Sequence, residues 1–91
     1  MMAKPAASQD TLLVIEVSDS TFRYDVEVKL PLYARSGIPE VWIENVSEDL
    51  LLVCRDPSDS GYTTQLTIHR SDSFASLPFP NVWFKAEDFL G

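Results

Sequence analysis

The sequence predicts an α+β domain built on a mixed β-sheet that contains one strand-helix-strand crossover. An apolar run at residues 12–17 is followed by a segment with helical spacing, and a second strand pattern begins at Val41. A strand, a helix and a strand in this order form a crossover that leaves the two strands parallel. The short connection at 46–49 leads into the apolar run 50–54, which indicates an antiparallel hairpin.

The first strand, residues 12–18, carries one carboxylate, Glu16, inside its apolar run. A continuous run of Leu, Val and Ile is typical of a strand that is covered on both faces, so Glu16 is expected to point into the interior. Burying an unpaired carboxylate is costly, and a metal, a lysine or a raised pKa should accompany it. Glu16 is therefore the first candidate site residue.

The next segment has the spacing of a helix, which we expect to run through residues 26–34. Its apolar stripe consists of Phe22, Val26, Leu30 and Tyr33. Gly37 supplies a C-terminal cap, whereas the start of the helix stays open between Asp19 and Asp25. Pro31 should kink or split the helix, because an interior proline costs about 3 kcal/mol.

Asp25 and Lys29 are four residues apart and therefore share one side of the helix. They form either a surface ion pair, worth about 0.3–0.5 kcal/mol, or a cluster with Glu16, since the crossover helix must pack on the first strand. Asp10 lies six residues ahead of Glu16 and on the same strand face, but about 20 Å away at full extension. Spacing alone favours a loop role for Asp10.

Three further residues are weaker candidates for a functional site. Glu40 and Glu44 flank Trp42 and share its face of the second strand, where we expect them to be solvated, with a secondary metal contact as the alternative. Cys54 is the only cysteine and lies in an apolar run, which predicts a buried, inert thiol.

Length and composition predict a single domain at residues 10–91 preceded by a flexible tail at 1–9. The tail lacks the charged and apolar regions of a secretory signal, and no stretch approaches the roughly 20 apolar residues of a membrane span, so we expect a cytoplasmic protein. The net charge of −7 argues against a sequence-independent grip on nucleic acid. A net negative charge is compatible with an enzyme that binds phosphates through a divalent cation, because the charge of the cation dominates locally.

The chain offers one substantial helix to cover a sheet with two apolar faces. We therefore expect the second face to be covered by a partner subunit, a second copy or the rest of a larger fold.

Two stretches carry a family resemblance: LLVIEVSDST at 12–21, and VKLPLYARSGIPEVWI at 28–43, preceded by Tyr24 and Asp25. With looser similarity at 77–80 and 87–91, the chain resembles the Uma family of restriction endonucleases, which have the PD-(D/E)XK nuclease fold. The resemblance implies metal-dependent hydrolysis of DNA with Mg²⁺ or Mn²⁺. In that fold a strand carries an acid, one residue whose carbonyl contacts the metal, and then a lysine.

Transferred residue by residue, the resemblance makes Glu16 the metal-binding, catalytic acid and Val17 the carbonyl donor. Ser18 stands where the lysine would be, and Lys29 matches the catalytic lysine that the family carries on the following helix. Asp10 matches a recurrent aspartate and is implied as a further metal contact.

Family members usually have an earlier helix and an acid-bearing strand, and Met1 precedes Asp10 by only nine residues. We therefore expect an N-terminally truncated domain, in which loss of the upstream acid can leave the nuclease inactive. Two alternatives to the nuclease remain: a non-catalytic remnant or subunit that acts by protein-protein association, and a small acidic interaction domain unrelated to nucleic acid.

Overall fold

The computed structural model describes residues 11–90. The predicted tail at 1–9 and the candidate Asp10 lie outside the described residues. A four-stranded sheet has the order β1-β2-β3-β4, and its strands are β1 (Leu13–Ser18), β2 (Glu40–Asn45), β3 (Leu50–Ser58) and β4 (Gly61–His69). β1 and β2 are parallel, whereas β2–β3 and β3–β4 are antiparallel. The predicted α+β class, the mixed sheet and the crossover are confirmed.

The crossover helix is longer than the predicted 26–34 and consists of three consecutive pieces: α1 (Phe22–Tyr24), a π-turn segment (Asp25–Lys29) and α2 (Leu30–Arg35). The amide of Leu30 donates to the carbonyl of Asp25, five residues back, so this turn is one residue wider than an α-helical turn. Pro31 lies in the first turn of α2, where its missing N–H is tolerated. The helix is thus split next to the proline, and Gly37 ends it with a φ of 81°.

The helix packs on one face of the sheet. Buried apolar side chains of the strands, with Val41 and Ile43 at their centre, meet Leu30 and Ala34 of α2. Cys54 belongs to this core, and burial raises the pKa of its thiol to about 12, as the predicted inert role requires.

The opposite face of β2 and β3 is covered by the C-terminal segment of the chain itself. This segment forms β5 (Ser73–Ala75), β6 (Trp83–Lys85) and the short α3 (Glu87–Leu90). Three of its aromatic rings surround Trp42, with centroid distances of 4.8, 5.4 and 5.2 Å for Phe74, Phe84 and Phe89. The expectation that this face needs another polypeptide to cover it is therefore wrong over β2 and β3. The sequence did not predict this covering layer, because the elements of the C-terminal segment are short and interrupted by prolines.

β1 is an edge strand among the described residues, and its second face is covered only at Leu13, which packs against the cluster around Trp42. Ile15 is 48% and Val17 is 65% exposed, so the predicted cover on both faces is wrong at these positions. The alternate residues of β1, which include Glu16 and Ser18, face the helix instead. Ile15 and Val17 are exposed because the C-terminal segment packs over Trp42 on β2 and does not extend across β1. The apolar run at 12–17 therefore does not indicate a strand covered on both faces.

Glu40 is fully buried on the Trp42 face, contrary to the expectation of a solvated side chain. Its carboxylate accepts hydrogen bonds from Trp42 Nε1 (2.9 Å), Arg55 Nε (3.2 Å) and the Leu77 amide (2.6 Å). This network ties the sheet to the C-terminal segment. Within residues 11–90, no helix is long and apolar enough to cross a membrane.

Candidate active site

The structure brings Glu16 and Lys29 together at the interface between β1 and the crossover helix. Lys29 Nζ lies 3.6 Å from Glu16 Oε1. The side chain of Lys29 is 39% exposed and that of Glu16 is 21% exposed. The pair is therefore reachable by a ligand from solvent.

Asp25 joins this pair from a more deeply buried position. Its Oδ1 lies 3.5 Å from Lys29 Nζ, and its side chain is only 4% exposed. Its Oδ2 accepts hydrogen bonds from Ser18 Oγ and from Thr21 Oγ1, the latter at 3.4 Å. Of the two interpretations of Asp25 and Lys29, the structure favours the cluster with Glu16 over a surface ion pair.

Tyr33 is the site residue that sequence reasoning missed. Its hydroxyl donates a hydrogen bond to Glu16 Oε2. The signal that could have identified it is the repeated spacing of four residues from Asp25 to Lys29 to Tyr33. In a regular α-helix, residues eight apart diverge by about 80° around the axis, because each residue turns by about 100°. The wider π turn reduces that divergence and directs all three side chains toward β1.

Ser18 occupies the position at which the nuclease pattern has its lysine. It is fully buried, points to the same side of β1 as Glu16, and uses its hydroxyl to bind Asp25. The positive charge therefore comes from the helix, through Lys29.

The electrostatics of the site keep Lys29 charged. The carboxylate of Glu16, and then that of Asp25, raise the pKa of Lys29 above 10.5, and partial burial opposes this only in part. Burial, and then the hydrogen bond to Glu16, raise the pKa of Tyr33. At neutral pH, Lys29 is therefore a cation with three N–H donors and Tyr33 is a neutral donor. Neither is suited to act as a base.

The described residues offer two kinds of oxygen donor beside Lys29, the Glu16 carboxylate and the backbone carbonyls of β1. The carbonyl of Ser18 accepts the amide of Val46 at 2.8 Å, and backbone groups alternate in direction along a parallel strand. The carbonyl of Val17, next in sequence to Glu16, therefore points away from β2, to the side of β1 that has no partner strand among residues 11–90. Within residues 11–90, no three Asp, Glu, His or Cys side chains gather into a metal-holding group. This donor set fits Mg²⁺, which is commonly held by one or two carboxylates while water and substrate phosphates complete its shell.

These features define an α+β protein with an acid-lysine cluster where a crossover helix packs on an edge strand. The sequence model of the Uma2 family, described as "putative restriction endonuclease", matches residues 4–87. The chain belongs to this family, and the resemblance found in the sequence is confirmed. No curated protein and no solved structure matches the chain.

Proposed function

We propose that this protein is a metal-dependent endonuclease that hydrolyses phosphodiester bonds of DNA at the Glu16–Lys29 cluster. The observation that carries the proposal is the contact between Lys29 Nζ and Glu16 Oε1 on an open edge strand, in a chain of a restriction endonuclease family. An acid next to an ammonium group combines a metal ligand with a charge for the transition state.

Each residue of the cluster has a role in this proposal. Glu16, the Val17 carbonyl and Asp10 would hold Mg²⁺ or Mn²⁺, which when bound supplies electrophilic charge and an acidified water. Tyr33 fixes one oxygen of Glu16 and leaves the other directed toward Lys29. Lys29 presents its ammonium group where negative charge develops on the phosphate oxygens.

The open position of the site suits a duplex substrate. β1 lies at the edge of the sheet, and Lys29 remains partly exposed. The net charge of −7 would repel DNA at a distance, and a cation held at Glu16 would offset this repulsion locally, since a bound divalent cation is often the largest charge in a site.

The test uses the purified chain with supercoiled plasmid DNA and millimolar Mg²⁺ or Mn²⁺. We expect nicked or linear product from the wild type, and its loss in Glu16→Gln and Lys29→Met. Glu48→Gln, which removes one exposed acid from the β2–β3 connection, is the matched control and should retain cleavage.

Thermal unfolding provides a second measurement that does not need activity. A cation at a hundredfold excess over its Kd stabilises the fold by about 2.7 kcal/mol. The resulting upward shift should disappear in Glu16→Gln and persist in Lys29→Met, because Lys29 is not a ligand. A wild type with neither cleavage nor a metal-induced shift would overturn the proposal.

One observation favours a second candidate, a non-catalytic subunit that acts by protein-protein association. Ile15 and Val17 expose apolar side chains on a strand with an open edge. A subunit of this kind should associate with a partner, and its unfolding temperature should not rise with metal. The same thermal unfolding measurement therefore distinguishes it from the nuclease.

A further inference from the structure

We propose that Asp25 is a positioning residue that holds the Lys29 ammonium group beside Glu16. The inference rests on the proposed function, because it assigns a role within the same site. It explains how a lysine on the helix can serve a site built on β1.

Asp25 is fixed in place by the strand and by the turn that precedes the helix. Ser18 Oγ, from the end of β1, and Thr21 Oγ1 both donate to Oδ2. The amide of Asp25 also donates to the Thr21 carbonyl at 2.9 Å. The carboxylate therefore has little freedom, and its second oxygen, Oδ1, is directed toward Lys29 Nζ at 3.5 Å.

Lys29 needs such a guide because its side chain is long and partly solvated. A free lysine has about 2 kcal/mol of rotamer entropy, and the side chain of Lys29 is 39% exposed. One carboxylate would leave the ammonium group free to pivot. Two carboxylates, Glu16 at 3.6 Å and Asp25 at 3.5 Å, define its position from two sides.

The contacts of Asp25 favour this role over metal coordination. Both of its oxygens already have partners within the protein, Ser18 and Thr21 on one side and Lys29 on the other. Glu16 also has partners at both oxygens, Tyr33 and Lys29, but its side chain is 21% exposed against 4% for Asp25, and it directly precedes Val17, whose carbonyl faces outward. A cation can reach Glu16 without breaking the contacts that bury Asp25.

The test is the mobility of the Lys29 side chain, measured by ¹³C relaxation at Cε in protein that carries ¹³C-labelled lysine. The chain has three lysines, at positions 4, 29 and 85, so the spectrum is simple, and Lys29→Met assigns the relevant signal. In the wild type, Lys29 should be more restricted than the exposed Lys85. In Asp25→Asn, which can still accept the Ser18 hydrogen bond but lacks the charge, Lys29 should become as mobile as Lys85.

Glu27→Gln is the matched control, because it removes an exposed acid from the same π-turn segment, and it should leave Lys29 restricted. Ser18→Ala keeps the charge of Asp25 and removes its anchor, and it should raise the mobility of Lys29 to an intermediate level. If Asp25→Asn does not fold, Ser18→Ala decides the question alone.

Two further measurements separate positioning from coordination. Mn²⁺ affinity, measured by calorimetry, should be the same in Asp25→Asn and in Glu27→Gln. Cleavage by Asp25→Asn should lose kcat, by up to about 100-fold as for a displaced catalytic group, with KM unchanged.

Unchanged mobility of Lys29 in the folded Asp25→Asn variant would overturn the inference, as would a loss of Mn²⁺ affinity equal to that of Glu16→Gln. The mobility measurement needs neither metal nor activity. A failure of the proposed nuclease function and a failure of the positioning role therefore give different results.

Discussion

The hydroxyl of Tyr33 donates a hydrogen bond to Glu16 Oε2 across the interface between the crossover helix and β1, seventeen residues away in the sequence. It is a direct polar link between the end of the helix and the middle of the edge strand. It also holds the carboxylate that we assign to metal binding in one orientation.

Tyr33→Phe removes this link and leaves one oxygen of Glu16 without its donor. We expect the free energy of unfolding to fall by about 1 kcal/mol, below the range for fully buried bonds to charged groups because Glu16 is partly solvated. Urea denaturation measures the change. Tyr24→Phe, in an exposed position on the same helix, is the control. Equal losses in the two variants would contradict the assigned bond.

Much of the fold followed from the sequence because its local signals agree with its tertiary structure. The apolar periodicity placed β1, β2 and the helix, and the order of these elements dictated parallel pairing, as observed. Pro31 predicted a break in the helix, and the π turn just ahead of it is that break. Glu16 stood out because a carboxylate in an apolar strand requires a partner.

The remainder depended on contacts between residues far apart in the chain. Glu40 was expected to be solvated, and only the return of the C-terminal segment buries it, through Arg55 and the amide of Leu77. The openness of β1 at Ile15 and Val17 depends in the same way on where that segment stacks. The spacing of Asp25 and Lys29 indicated which side of the helix Asp25 occupies. Its buried hydrogen bond to Ser18 could not be predicted, because it depends on where the end of β1 lies relative to the helix.

The buried Glu40–Arg55 pair predicts a large effect of removing one partner. Arg55→Met leaves the Glu40 carboxylate, which is fully buried, without its countercharge. We expect a loss of about 3 kcal/mol, since breaking a buried pair typically costs about 3–5 kcal/mol and Arg55 is partly exposed.

Chemical denaturation measures this loss, and the double variant Arg55→Met/Glu40→Gln should recover part of it because no buried charge is left unpaired. The exposed salt bridge between Arg70 and Asp49 provides the comparison. Arg70→Met should cost much less than Arg55→Met, because an exposed ion pair is screened by solvent. A loss of similar size at both positions would contradict the buried role of Glu40.

Alkaline pH should destabilise the protein. Burial raises the pKa of Cys54 from 9.0 to about 12, and burial also raises the pKa of Tyr33 and Tyr62 above 10.0. In the folded state these groups hold their protons more tightly than in the unfolded state. Their contribution is therefore complete below about pH 8, one unit under the ordinary pKa of cysteine, and is lost progressively as the pH rises toward the folded pKa values.

Urea denaturation between about pH 8 and pH 11 should show this decline, with a slope of up to about 1.36 kcal/mol per pH unit for each group that titrates only in the unfolded state. Cys54→Ala should remove most of the earliest decline, between pH 8 and pH 9, because the ordinary pKa of cysteine, 9.0, lies below that of tyrosine, 10.0, whatever the effect of the substitution on stability at neutral pH. A free energy of unfolding that stays constant up to pH 11 would refute the prediction.

The exposed edge of β1 predicts concentration-dependent self-association of the isolated chain. Ile15 and Val17 present apolar side chains on a strand that has no described neighbour on its outer side. Such edges are templates for pairing unless a charge, a proline or a covering element protects them. Ile15→Lys introduces a charge of the kind that natural edge strands use, and it should shift the sedimentation coefficient toward that of the monomer. Thr67→Lys adds the same charge to an exposed position of the opposite edge strand, β4, and should leave association unchanged. If the wild type sediments as a monomer at all concentrations, the open face of β1 does not mediate association.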